Sequence, residues 1–255
     1  MSAVERERRG HVEILTINRP EARNAINGDV TAAMGAALDA CADDDDCWVV
    51  VLTGSGDKSF SAGMDLKAFA SGQGAGIIDA NGFGSITRRR FAKPIIAAVN
   101  GTCLAGGCEI MLSCDLVVAA DHAVFGIPEV KRGLVAGAGG LVRLPRRIPR
   151  AVALELALTG EPMNADRAYQ IGLVNKVVPA ADLMKEAVAL AELIADNAPL
   201  AVRTSKKVVI ESADLSEEDA WKLNDGSFAE IFSSADAMEG AVAFAEKRKP
   251  NWQGK

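Results

Sequence analysis

Residues 12–18 (VEILTIN) alternate apolar and polar side chains and run into Arg19-Pro20, which predicts a half-buried strand ended by proline. After Asn27-Gly28-Asp29, apolar positions recur at three- and four-residue steps (Ala32, Met34, Ala37, Leu38, Cys41), the period of a helix with one buried stripe. The acidic run 43–46 reads as the solvated end of that helix. Residues 48–52 (WVVVL) and 95–99 (IIAAV) are continuously apolar, as strands covered on both faces require. Asn100-Gly101 breaks the second run. A short helix over 105–113, a strand over 115–119 and a short strand over 123–125 follow. From Arg150 onward the pattern is largely helical, with a short strand within 173–178 and helices over 182–197, 200–211, 217–232 and 235–247. Irregularly repeated strand-turn-helix units predict an α/β chain with helices packed outside its sheets.

The 255 residues are 49% hydrophobic and 24% charged, the make-up of a folded chain rather than a disordered one. The formal charge of −6 argues against a nucleic-acid partner, and the basic run Arg88-Arg89-Arg90 reads as a solvated helix face or a phosphate contact. No apolar run suits a membrane span, and the charged start MSAVERERRGH lacks the core of a signal peptide, so a cytoplasmic location is expected. His11 and His122 are the two histidines, each expected at the surface, and they are too few for a histidine-rich metal centre. The five cysteines form no CxxC pair and are expected as buried free thiols. Carboxylates and backbone groups must therefore do most of the chemistry, and no metal or redox cofactor is expected.

Three stretches could carry it. Phe60-Ser61-Ala62-Gly63-Met64-Asp65-Leu66 is a small-residue turn ahead of a helix start, where backbone N–H groups lack helical partners. Ala105-Gly106-Gly107-Cys108-Glu109 repeats that device and sets Glu109 one turn inside a helix among apolar neighbours, where a carboxylate is costly unless hydrogen-bonded or raised in pKa. Phe125-Gly126-Ile127-Pro128-Glu129 is followed by the turn Gly137-Ala138-Gly139-Gly140, which does not complete a dinucleotide-binding glycine pattern. Alone, the first stretch reads as a plain strand-to-helix turn and Glu129 as a surface charge beside Lys131 and Arg132, while Glu109 reads equally as a satisfied N-terminal cap. Residues 72–84 hold five glycines and are expected as a mobile loop near a site.

Together with Asn18-Arg19-Pro20, Ala98-Val99-Asn100-Gly101, residues 168–177 (AYQIGLVNKV) and the tail Phe244-Ala245-Glu246-Lys247-Arg248, these stretches resemble the enoyl-CoA hydratase/isomerase (crotonase) family over nearly the whole chain. The resemblance implies a spiral of ββα units over 1–198 and a C-terminal helical region over 199–255 that builds homotrimers or, by pairing, homohexamers. It implies an acyl-CoA thioester as the small-molecule substrate. Backbone N–H groups of Met64 and Gly106 would form the oxyanion hole, the carbonyl of Ala62 would meet the adenine, and Lys67 would lie near the CoA phosphates. Phe244 and Lys247 would reach a neighbouring subunit's CoA.

Within that resemblance Glu109 and Glu129 fill both hydratase carboxylate positions, with Glu109 the base on water and Glu129 the proton donor to C2. Hydration of a trans-2-enoyl-CoA to a 3-hydroxyacyl-CoA is implied. Close alternatives are carnitinyl-CoA-like dehydration and enoyl-CoA isomerisation, and a non-catalytic acyl-CoA binder is the rival of another class. Four departures touch the pocket: Ala105 where the family has glycine, Ala136 where it has proline, Leu141-Val142 where it often has Thr-Gln, and Met64 where it has a small residue.

Overall fold

A computed structural model describes residues 2–72 and 74–255; Met1 and Gln73, the latter inside the glycine-rich stretch expected as a mobile loop, lie outside the described residues. The chain opens with a hairpin, β1 (Val4–Arg9) and β2 (Val12–Ile17), then α1 (Gly28–Asp43), β3 (Val49–Gly54), β4 (Ser59–Ser61) and α2 (Leu66–Ala70). A small ribbon, β5 (Ile78–Asp79) with β6 (Gly82–Phe83), precedes β7 (Ile95–Val99), β8 (Thr102–Leu104), α3 (Gly106–Met111), β9 (Leu116–Ala120) and β10 (Val124–Gly126). The remainder is α4 (Gly140–Arg147), α5 (Arg150–Thr159), β11 (Met163–Asn164), α6 (Ala165–Gln170), β12 (Lys176–Val178), α7 (Leu183–Ala195), α8 (Pro199–Ser212), α9 (Glu217–Phe232) and α10 (Ala235–Glu246).

The main sheet has the order β1-β2-β3-β7-β9-β12, parallel except for the β1–β2 hairpin. Its central strands bury both faces because α7 covers one and α1 with the second sheet covers the other. Val49 and Val51 pack toward Leu183, Ala187 and Ala191, whereas Val50 and Leu52 face Val30, Met34 and Leu38. The two-residue alternation of a strand thus feeds two cores, and this is why the run reads as continuously apolar. A second sheet, β11-β10-β8-β4, lies beside the first and carries the residues of the site on its ends.

Two sequence expectations are corrected here. β2 is buried on both faces, and Glu13 is only 3% exposed, because β1 lays Arg6 and Arg8 against its carboxylate at 2.7 and 2.6 Å. The hydropathy pattern misses β1 itself (VERERR), whose Arg6 and Arg8 make this pairing while Arg9 pairs with Glu7. Arg88 ends a turn, and Arg89 and Arg90 follow in irregular chain rather than on a helix; Arg89 turns inward to Asp39 and the Ser85 carbonyl. The cysteines are all buried and free, and His122 is exposed. His11 is half-buried, its ring stacked on Trp48 at 3.6 Å. Among the described residues no helix is long and apolar enough to cross a membrane.

Candidate active site

A cleft of about 1380 Å³ runs between the ends of the second sheet and the segments that follow β10 and α2. That exceeds the few hundred to 1,000 Å³ usual for drug-sized ligands, so it has room for a longer molecule. Met64, Gly106, Glu109, Glu129, Ala62 and Lys67 all line it. Phe244 and Lys247 do not: they sit at the end of α10, and Phe244 is 88% exposed.

Local hydrogen bonding explains which backbone groups face the cleft. Ile26 forms an isolated parallel bridge with Met64, donating its N–H to the Gly63 carbonyl at 2.8 Å and accepting from the Asp65 N–H at 2.9 Å. Peptide groups alternate in direction along an extended chain, so the N–H of Met64 points away from Ile26 and toward the cleft. The loop is locked from behind by Arg19, which donates to the Ala25 carbonyl at 2.7 Å and to Asp65 at 2.9 Å. Asp65 also caps α2 by accepting from the Ala68 N–H, and these partners hold its carboxyl below the usual range. Arg19 and Asp65 are 46 residues apart, and the sequence reading gave neither a role.

Gly106 opens α3, where its N–H has no carbonyl to meet within the helix. No protein acceptor takes it, nor the N–H of Met64, among the described residues. The two loops touch: a Cβ on Gly63, whose φ is +89°, would lie 2.8 Å from the Gly106 nitrogen. Ala105, just before, has φ +51° and ψ −130°, a conformation that suits glycine and strains alanine by about 1–3 kcal/mol. Ala105→Gly is therefore expected to raise stability by about 1 kcal/mol after the extra backbone entropy of glycine is subtracted, read as a higher urea midpoint.

Glu109 is 3% exposed on α3, and its Oε1 accepts from the N–H groups of Ala138 at 2.7 Å and Gly140 at 2.8 Å. Its cap thus comes from the glycine turn after residue 137, not from its own helix, and Oε2 is left to meet a ligand. Space there is tight, since a Cβ on Gly140 would come within 3.2 Å of Oε1. Burial pushes the Glu109 carboxyl above its ordinary range, against the pull of the two N–H groups and of Arg143.

Glu129 sits in the single turn Pro128–Arg132 that follows β10. It is half-buried, and its Oε2 has no hydrogen-bond partner among the described residues. Burial raises this carboxyl too, and the charge of Glu109 raises it further while Arg132 opposes the shift. Two carboxyl groups that sense each other, beside two unpaired N–H groups, can move protons on and off a substrate whose carbonyl the N–H groups hold. The glycine-rich segment contributes Ile78, Asp79, Gly82 and Phe83 to the same cleft, and Arg88 joins them. Leu141 and Val142, two of the departures, are exposed on α4.

The sequence pattern of the family described as "Enoyl-CoA hydratase/isomerase" matches residues 7–255. The chain is 40% identical to carnitinyl-CoA dehydratase of Proteus mirabilis (strain HI4320), with 97% of each chain covered. Among solved structures it is similar to enoyl-CoA hydratase from Mycobacterium tuberculosis H37Rv, with a TM-score of 0.96, 48% identity and 100% of both chains covered. It is likewise similar to carnitinyl-CoA hydratase from Mycobacterium avium, with a TM-score of 0.80, 49% identity and 100% of both chains covered. The expected α/β architecture with a helical C-terminus is the one these crotonase-fold structures share.

Proposed function

Since the chain belongs to the enoyl-CoA hydratase/isomerase family, we propose that it is a hydro-lyase that adds water reversibly, in syn fashion, to a trans-2-enoyl-CoA, giving the 3-hydroxyacyl-CoA. The observation that carries this reading is the pair Glu109 and Glu129, both lining one cleft with Met64 and Gly106. Glu109 accepts a proton through Oε2 as the water oxygen bonds to C3. The π electrons of the double bond move toward the thioester oxygen, where the N–H groups of Met64 and Gly106 stabilise the developing enolate. Glu129, raised by burial and by its neighbour's charge, delivers a proton to C2. Losing one oxyanion donor typically costs about 3 kcal/mol of barrier, so these backbone groups matter as much as the carboxylates.

In this reading Ala62 offers its carbonyl to the adenine and Lys67 neutralises CoA phosphate. Phe244 and Lys247, remote from their own chain's cleft, serve the cleft of a neighbouring copy, and α8 to α10 build a trimer or a pair of trimers. Coenzyme A enters as part of the substrate, and the proton steps call on no metal or redox group. Dehydration of a polar, carnitinyl-type acyl-CoA is the second reading, favoured by the names of the Proteus and M. avium relatives. A mass-spectrometric panel of crotonyl-CoA, longer and branched 2-enoyl-CoAs and crotonobetainyl-CoA tests both. Conversion of crotonyl-CoA to 3-hydroxybutyryl-CoA is expected; turnover confined to crotonobetainyl-CoA would select the second reading, and binding without turnover would refute both.

A further inference from the structure

Arg143 lies on α4, immediately after the turn whose N–H groups cap Glu109. Its guanidinium donates through Nη2 to the carbonyl of Thr87 and through Nη1 to that of Ala138, at 3.5 Å in the second case. Each of those residues supports one part of the site. Ala138 gives its N–H to Glu109. Thr87 accepts the Phe83 N–H on its hydroxyl at 2.9 Å, and the Phe83 ring stands where a Cβ on Gly106 would be, 2.5 Å away. One fork-shaped side chain thus bridges the cap of Glu109 and the wall behind the Gly106 donor. Gly139 makes room for it: φ there is +116°, and a Cβ would lie 2.3 Å from Nη1.

We propose that Arg143 is a positioning residue for the hydration reaction, fixing Glu109 relative to the Gly106 N–H by clamping the Thr87 and Ala138 carbonyls. The proposal rests on Glu109 being the base. A flat bidentate donor suits two carbonyls on different segments, whereas a lysine ammonium keeps the charge but not the fork. The charged and titratable groups around this pair are few. Glu109 comes from α3 and Glu129 from the turn after β10. Arg147 is on the same helix as Arg143 and donates to the Cys114 carbonyl, and the Cys114 thiol follows α3. The Arg143 charge is the one that favours ionised Glu109, so its loss moves the acid limb of the rate profile to higher pH.

Wild type, Arg143→Met, Arg143→Lys, Glu109→Gln and, as a control on the same helix, Arg146→Met are compared on crotonyl-CoA across pH. Arg146 pairs with exposed Asp214 and is expected to be silent. For Arg143→Met, kcat is expected to fall about 100-fold with little change in KM, the size of loss that a misplacement of about 1 Å produces, and its acid limb is expected at higher pH. Arg143→Lys is expected to keep the limb of the wild type and recover only part of kcat. A folded Arg143→Met with wild-type kcat, or with reduced kcat and an unmoved limb, overturns the proposal. Should Arg143→Met fail to fold, Arg143→Lys decides: reduced kcat at constant KM supports the clamp, and full kcat overturns it. If Glu109→Gln keeps the wild-type rate, the assignment of the base has failed, and the proposal falls with it for that separate reason.

Discussion

Glu109→Gln is expected to lower kcat for hydration about 1,000-fold while KM stays within a few-fold, because the amide binds in the same place but cannot take a proton from water. The replacement is conservative in structure. A glutamine Oε1 can still accept from Ala138 and Gly140, so the turn that holds position 109 should survive. Stability separates loss of chemistry from loss of fold. Burial raises the Glu109 carboxyl in the folded chain, so between the unfolded and folded pKa values the native state binds more protons than the unfolded one. The ionised group therefore costs stability above the ordinary carboxylate range, and that cost disappears as pH falls below about 4. The Gln variant should match or exceed the wild-type Tm at pH 7, and the gap should close in acid. An inactive variant that is also destabilised at neutral pH would mean that Glu109 serves the fold and not the reaction.

The second large effect is expected at Gly107, for a steric rather than a chemical reason. Its φ is ordinary, so alanine would suit the helix, but a Cβ there would lie 2.1 Å from the carbonyl oxygen of Ser61, a wholly buried residue of β4. The obstacle is backbone on both sides, and no side chain can swing away. Gly107→Ala must force α3 off β4, separating the Gly106 N–H from the Met64 N–H. A loss of about 3 kcal/mol or more in unfolding free energy is expected, measured with urea, together with loss of activity in whatever folds. The contrast with Ala105, two residues earlier, is instructive: there the space is available and the backbone angle is the problem, so removing a Cβ should help.

These two positions illustrate what the chain discloses before it is folded. Long apolar runs were readable because β3 and β7 each feed two cores, and periodic stretches located α1 and α7 to α10 to within a residue or two at most ends. The strands β4, β8 and β11 have only two or three residues, fewer than a period needs to declare itself, whereas β10, equally short, was expected one residue early over 123–125. β1 was hidden by its arginines and glutamates; Arg6 and Arg8 pair across the hairpin with Glu13.

At the site, Glu109 stood out as a carboxylate in apolar company, whereas Glu129 beside Lys131 and Arg132 read alone as a surface charge and took its role from the family resemblance; their convergence on one cleft is a property of the sheet ends. Backbone donors leave no mark on composition: the N–H groups of Ala138 and Gly140 reach Glu109 from 29 and 31 residues away. Arg19 lay within a recognised motif, yet its function, steadying the Met64 loop through Asp65, emerges only when the chain between them, a separation of 46 positions, is folded.

The most direct test of paired-carboxylate hydration is to incubate crotonyl-CoA in water labelled with ¹⁸O and to analyse the product by mass spectrometry. Wild type should yield 3-hydroxybutyryl-CoA carrying solvent oxygen at C3, and the double variant Glu109→Gln/Glu129→Gln should form almost none over the same interval. Unlabelled, isomerised product from wild type, or labelled product formed by the double variant at the wild-type rate, would contradict the account.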